Sequence, residues 1–295
     1  MPVNWDDIRL FLAVARAGQI LAAARRLGLN HATVGRRLDQ LEKALAAKLF
    51  ERRPNGCTLT ADGAAFLPGA ERMEAEMLSA RSLLGSAEVG LSGTVRIGAP
   101  DGFGTAFLAA RVGVLTERHP CLTLQLVPVP RAFSLSRREA DIAITMDRPE
   151  EGRLVAQKLV DYALGLYAAT AYLDAHGRPA TLEDLAEHRL VGYVGDLLST
   201  PALDYAAEIA GNVRSRFEIS SALGQTEAVE SGAGIGILHA FIARQRQGLE
   251  RVLPARELRR AYWLVYHESA RGNAAVAAVA AAIREMVEAE KAGFL

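Results

Sequence analysis

The sequence predicts an α/β chain headed by a helical winged helix-turn-helix, with one long linker helix between head and body. Three observations predict it. A tight Gly28-Leu29-Asn30 turn joins two helical stretches near the start. An apolar seam, Phe66, Ala70, Met73, Met77, Ala80 and Leu84, then steps by four and three without a break. Beyond Gly93, short apolar strands alternate with helical stretches, the pattern of an α/β sheet.

The head is read element by element. Ile8, Phe11, Leu12 and Ala15 make one face of a helix from Trp5 to Ala17. A second helix runs from about Gln19 to Leu27, with Ala22, Ala23 and Ala24 keeping its surface small enough for close crossing. Gly28 suits a left-handed stop, and Asn30 is a good N-cap for the third helix, His31 to about Ala46. Val34, Leu38, Leu41 and Leu45 turn inward. His31, Ala32, Thr33, Gly35, Arg36 and Arg37 cluster at its start, mostly off that stripe. A helix entering a major groove N-terminus first presents such residues: small side chains admit the backbone, and Arg reaches guanine or phosphate. Phe50 to Leu59 reads as a β-hairpin turning at Asn55-Gly56, with Arg52 and Arg53 as a wing over the minor groove. Arg pairs on any small bundle can be a solvated face; here turn, cap, wing and charge agree.

Net charge is zero over 295 residues, but its distribution is not even. Residues 1–60 carry ten Lys/Arg against five Asp/Glu, +5, and residues 61–295 carry 24 against 29, −5. A basic head on an acidic body is expected when only the head meets phosphate, here double-stranded DNA. Cys57, Cys121 and six scattered histidines make no metal pattern, so no metal or cofactor is expected. No nucleophile elbow or phosphate loop argues for an enzyme. No stretch has the length and apolarity of a membrane span, and the start lacks signal-peptide features, so the expected location is cytoplasmic.

The seam helix runs from Thr60 to roughly Ser86. Its narrow stripe pairs with a second subunit or packs on its own domain, and Gly85 and Gly90 to Gly93 detach it as a hinge, which favours pairing. In the body, strands are predicted at Gly93–Gly98, Cys121–Val127, Asp141–Thr145, Leu164–Ala168, Leu190–Val194, Arg216–Ser220, Ile235–Leu238 and Trp263–Tyr266, in a parallel sheet. Helices are expected at Phe107–Arg118 and Ala274–Lys291. Gly232, Gly234 and Gly236 follow a helix and precede a strand, the reverse of a dinucleotide fingerprint, and read as a tight turn.

Residues 4–67 resemble the DNA-binding end of LysR-type transcriptional regulators, through Phe11, Val14, Gly18, Ala23-Ala24, Leu27, Val34, Arg36-Arg37, Leu41-Glu42, Leu45, Leu49-Phe50, Arg52, Leu59-Thr60 and Gly63. Gly35 stands where that family usually has Ser, and His31-Ala32 where it often has Gln-Pro or Gln-Ser. Thr94 to Gly98, Asp141 to Ile144, Gly232 to Ile237 and Leu264 to His267 resemble its regulatory half. The resemblance implies a two-lobed, periplasmic-binding-protein-like α/β body, a homodimer through the linker helix, and a homotetramer built as a pair of dimers. It divides the chain into residues 1–60, a linker 61–90, and a body 91–295 with lobe I at 91–161 plus 267–295 and lobe II at 162–266. It also implies a small-molecule effector in a cleft between the lobes. Loops after strands offer Asp101, Gly102, Phe103, Gly104, Thr105, Arg131, Phe133 and Asp147 in lobe I, and Tyr193, Ser220, Ser221 and Gln225 in lobe II. A helix starting near Thr105 would suit an anionic ligand. A stretch of only Arg131 to Ala140 before Asp141 is shorter than is usual in the family. The alternatives are an enzyme or a solute-binding protein built on the same body.

Overall fold

A computed structural model describes residues 3–53, 56–84, 91–129, 139–149, 152–197, 205, 208–209 and 215–295. The head contains α1 (Trp5–Ala17), α2 (Ile20–Leu27) and α3 (His31–Leu45). Asn4 and Asn30 begin α1 and α3, their side chains accepting from the amides of Asp6 and Ala32 at 3.0 and 2.9 Å. Gly18 and Gly28 end α1 and α2 in the left-handed region. The predicted stripes close on one core: Phe11, Leu12 and Val14 of α1 meet Ala23 and Ala24 of α2 and Val34, Leu38 and Leu41 of α3. The wing is an antiparallel ribbon of β1 (Phe50–Arg53) and β2 (Gly56–Leu59). Its Asn55 turn position and the Gly85 and Gly90 hinge lie outside the described residues.

One buried carboxylate fastens this wing to α3. Glu42 is 4% exposed. Its Oε1 accepts from the amides of Leu49 and Phe50 at 2.8 and 3.2 Å, and its Oε2 from Lys48 Nζ at 2.9 Å. Burial alone raises its pKa, but these hydrogen bonds prevail and hold it below the ordinary glutamate value.

The linker helix α4 (Ala61–Leu84) starts on Thr60, whose Oγ1 accepts from Gly63 N at 3.0 Å. The predicted seam divides along its length. Phe66 stands edge-on to Phe11 at 5.1 Å and Ala70 is fully buried against the head. Met73 and Met77 are 47% and 54% exposed, and Ala80 is exposed as well. The early part of the stripe thus packs on its own domain, and the later part faces outward. Arg16 of α1 grips Glu74 with two hydrogen bonds of 3.1 and 2.6 Å, so the helix moves with the head.

The body is built on one eight-stranded sheet, order β4-β3-β5-β10-β6-β9-β7-β8. β3 (Gly93–Ala99), β4 (Leu122–Pro128) and β5 (Ile142–Thr145) form its first half; β7 (Leu190–Gly192), β8 (Phe217–Glu218) and β9 (Ile235–His239) form its second. Within each half the predicted strands pair in parallel. The whole sheet is nevertheless mixed, because two long antiparallel strands join the halves. β6 spans Leu154–Ala169 and β10 spans Leu249–His267, many residues beyond the segments the sequence pattern locates. Charged residues and Pro254 break the alternation of β10, and Leu253 to Arg256 bulge out between the pairs Val252↔Leu166 and Glu257↔Gly165. β10 pairs with β5 through Trp263–Tyr266, and β6 with β9 through Leu164–Tyr167. Between these segments, residues 160–163 and 259–262 pair with each other alone. This two-strand ribbon is the connection between the halves.

Helices cover the sheet. Asp101–Phe103 (α5) runs through a wide turn, Gly104–Leu108, toward α6 (Gly113–Arg118). The helical run thus begins at Asp101 rather than near Thr105 or Phe107. After α7 (Thr170–His176), the second half carries α8 (Ala222–Glu230) and α9 (Ala240–Ala243). The Gly232–Gly234 turn between α8 and β9 is as tight as the glycines suggested: a Cβ on Gly234 would stand 2.2 Å from the Arg189 carbonyl oxygen. The last helix, α10 (Ala274–Ala289), buries Val276, Val279, Ile283 and Val287 and ends two residues before the expected Lys291.

Glu42→Ala should destabilise the head by about 3 kcal/mol, since two buried amides and a cation lose their acceptor. Because its folded pKa lies below the usual 4.5, the contribution of Glu42 is complete above that value and fades as pH falls through the folded one. Denaturant titrations of both proteins should show the gap narrowing below about pH 4.

Candidate DNA interface and effector cleft

At the head, His31, Ala32 and Arg36 are exposed at the start of α3, with Thr33 and Gly35 half-buried beside them. Arg36 has no ion-pair partner among the described residues, and neither have Arg25 and Arg26, exposed in the last turn of α2. The latter two were not singled out in the sequence; a basic pair just before the turn is the signal that could have found them.

The other predicted cations are engaged. Arg37 Nε donates to Asp7 Oδ1 at 2.7 Å, and its two terminal nitrogens meet Asp6 and Asp7. Its guanidinium braces α3 against the start of α1. Burial tends to lower its pKa, but the two aspartates raise it. Arg52 meets Asp39 at 2.7 Å and Glu42 at 3.7 Å. Arg53 pairs with Glu51 at 2.9 Å, both well exposed, and such a surface pair is weak enough to exchange for phosphate. Arg37 and Arg52 are therefore engaged within the head in this state. A Cβ on Gly35 would meet no atom within 4 Å, so the fold does not require glycine there.

In the body, the halves meet where α5 approaches α8. Asp101 Oδ2 accepts from Ser221 Oγ at 2.6 Å and lies 3.5 Å from the amide of Leu223. Ser221 is also the N-cap of α8, its Oγ accepting from Gly224 N at 3.0 Å. A carboxylate of the first half thus sits on a helix N-terminus of the second. Behind it, a Cβ on Gly102 would come within 3.3 Å of Ala222 and Ile242.

The other effector candidates separate by role. Phe103 is fully buried among Phe107, Tyr262 and Phe294. Gly104 packs on Pro128, where a Cβ would be 2.8 Å away. Gln225 is 2% exposed, and its amide donates to the Ile219 carbonyl at 3.1 Å. These three are packed in the interior and offer no free group. Thr105 lies exposed inside the helical run, past its first turn. Tyr193 donates to the Ser220 carbonyl at 3.4 Å, joining two cleft-side loops. Asp147 lies close enough to raise the pKa of Tyr162. Arg131 and Phe133 lie outside the described residues.

The joining ribbon supplies what loop-based reasoning missed. Tyr162 and Tyr262, both 0% exposed, stack at 4.1 Å with 15° between their planes. Tyr162 also stacks on His239 at 5.2 Å, and Tyr262 lies 4.6 Å from Phe103. Their buried hydroxyls interact with each other, with no further partner among the described residues. Burial pushes both phenols, and Tyr205 beside them, well above the ordinary tyrosine range. Burial lowers His239 to about 4 against the pull of Asp101, so its imidazole is neutral at neutral pH.

Comparison with known proteins fits this division into head and body. The model for "Bacterial regulatory helix-turn-helix protein, lysR family" matches residues 5–64, and that for "LysR substrate binding domain" matches residues 88–288. The chain belongs to the LysR family. The regulator CrgA of Neisseria meningitidis serogroup C is 28% identical over 244 residues, 82% of this chain and 81% of its own. PtxR of Pseudomonas aeruginosa is 29% identical over 261 residues, 85% and 82% of the two chains. A regulator of Xanthomonas campestris is 29% identical over 189 residues, and the match spans only 55% of that relative. Among solved structures, CrgA of Neisseria meningitidis superposes with TM-score 0.57 at 23% identity, covering 97% of this chain and 99% of that one. A full-length OxyR variant of Pseudomonas aeruginosa reaches 0.72 at 19%, covering 96% and 95%, which shows a shared fold. As a LysR-type transcriptional regulator the chain is a DNA-binding protein with an effector-binding domain, not an enzyme. Among the described residues, no helix is long and apolar enough to cross a membrane.

Gly35→Ala should raise the stability of the head by about 0.5–1 kcal/mol, because helix propensity improves and the methyl meets open space. On DNA the same methyl occupies the side of α3 that approaches the bases, so operator affinity should fall. Thermal unfolding and mobility shift on one preparation check both, and a loss of stability would contradict the first.

Proposed function

We propose that this LysR-family regulator reads its operator with His31, Ala32, Thr33, Gly35 and Arg36 of α3. Arg25, Arg26 and Arg53 add phosphate contacts, and two heads are held by paired α4 helices. The single observation that carries the pairing is the split seam: Met73, Met77 and Ala80 stay exposed on a helix whose earlier stripe is fully used. Solvent-facing methionines in register with a buried stripe are what a second copy of the same helix covers. Further pairing of dimers into a tetramer would set the distance between DNA half-sites. An effector bound between the sheet halves changes their angle and so the placing of the heads. The place of action is the cytoplasm, where operator DNA is found.

The deciding experiment is a mobility shift with the DNA upstream of the chain's own coding region. Affinity should fall by about a thousand-fold or more between roughly 50 and 200 mM salt, as counterion release requires. Arg36→Ala should flatten the preference for operator over unrelated DNA, whereas Arg53→Ala should weaken both alike. A folded, oligomeric preparation that fails to retard this DNA at low salt would sink the proposal.

Replacing Met73 and Met77 together with Asp should shift the mass in solution toward monomer and cut operator affinity by about ten-fold or more, since two heads no longer bind as one. Light scattering and mobility shift read the two effects. An unchanged mass would place the dimer contact elsewhere.

A further inference from the structure

We infer that α5 is a bolt, three consecutive residues of the first half seated in the second, and that withdrawing it is the switch by which the halves change their angle. This rests on the regulator function proposed above and names the contact that regulation must break.

Each residue of α5 engages the far side. Asp101 Oδ2 accepts from the Ser221 hydroxyl at 2.6 Å and lies 3.5 Å from the Leu223 amide, both at the start of α8. Gly102 is buried, and a Cβ there would stand 3.2 Å from Ala222 of α8 and 3.3 Å from Ile242 of α9. A side chain at this level would push the halves apart, which is a reason for glycine that its backbone conformation does not supply. Phe103 is fully buried and reaches the second half through Phe294, the ring centroids 6.0 Å apart. Phe294 in turn stands 4.9 Å from Phe241 of α9.

A strap backs the bolt. After α10, the turn Lys291–Phe294 packs on β6 and on α9. Arg111 of the first half holds its root, donating to both oxygens of Glu290 at 2.6 Å while lying over the Phe107 ring at 4.2 Å. Phe107 faces Phe294 at 5.0 Å, and Arg244 at the end of α9 donates to the Gly293 carbonyl at 3.4 Å. The seat itself is made to part. Asp101, Ser221 and Ala222 are only half-buried, so water reaches the carboxylate–hydroxyl bond and can replace it. Gly102 lies against Ala222 with no side chain to withdraw. The Arg111–Glu290 pair lies away from the seat and keeps the strap on the first half when α5 moves.

The test is amide hydrogen exchange, read by mass spectrometry on full-length protein without DNA. Asp101→Asn keeps the size of the side chain and removes its charge. Gly102→Val drives a side chain into the seat. Each should speed exchange at the start of α8 by about ten-fold or more, as loss of a charged hydrogen bond does, while β3 and β4 keep their protection. Should Gly102→Val fail to fold, the smaller Gly102→Ala should give the same local change in lesser degree. Unchanged exchange at α8 in the folded variants overturns the bolt, and so does acceleration spread evenly over the body, the mark of a merely structural contact. Operator retardation by the same proteins reads the switch: both variants should move affinity in one direction, by about five-fold or more. Local loosening with unmoved affinity overturns α5 as a switch. If the unaltered protein does not retard operator DNA, the function proposed above falls, and the exchange result still decides the seat.

Discussion

The pairing of β6 with β10 is the constraint on which the rest of the body depends. Each strand is an edge partner for one half of the sheet and continues into the other, so neither half is complete without both. Hydrogen bonds along fifteen register pairs resist sliding of one strand past the other. They resist twisting least at 160–163 and 259–262, where the ribbon has no outer neighbour. Relative motion of the halves is therefore confined to a bend at one place, and the two buried tyrosines sit at that place. The Asp101–Ser221 bond spans the gap that such a bend would open.

The head follows a different logic, in which charge is used internally before any is left for a partner. Its excess of five positive charges suggests a broadly basic surface. In the folded state Arg37, Arg52 and Lys48 face Asp6, Asp7, Asp39 and Glu42, and Arg16 faces Glu74 from the linker helix. These contacts fix the start of α1 against α3, the wing against α3, and α4 against α1. Arg36 beside the small residues of α3, and Arg25 and Arg26 just before the turn, are exposed and keep no ion-pair partner among the described residues. Helix α3 is thus oriented by Arg37 and Arg52, whose guanidinium groups face carboxylates of the head.

Much of the head was legible in the sequence because its signals are local. Asn30, Gly28 and the stripe Val34, Leu38, Leu41 act within a few residues of themselves, and the elements they predict fall within a residue or two of those observed. Which arginines are engaged internally was not legible, since Arg37 meets carboxylates some thirty residues away. Parallel strands of the halves could be read as short apolar runs. The long strands could not: the first part of β6 is only half-buried, and β10 interrupts its alternation with Pro254 and a run of charged residues. The buried pair Tyr162 and Tyr262 was missed for a related reason. The rule that ligands meet the loops after parallel strands directs attention to loops, whereas Tyr162 and Tyr262 lie inside antiparallel strands.

The two halves of the molecule are joined by more than the chain between them. β10 ends at His267, five residues after Tyr262 and about 16 Å farther along an extended strand. His267 lies 3.8 Å from Glu71 of α4, and both side chains are nearly buried. One helical turn on, Glu74 is held by Arg16 of α1. A line of packed groups thus runs from the buried tyrosine pair, along β10, across to the linker helix and into the head. Because β10 is a paired strand and α4 a helix braced at Arg16, neither absorbs displacement easily. A bend at the ribbon must appear as a shift at the His267–Glu71 contact, on the stretch of α4 that leads directly to its exposed methionines. The joining ribbon, the exposed stretch of α4 and the head are in this way placed on one stiff path.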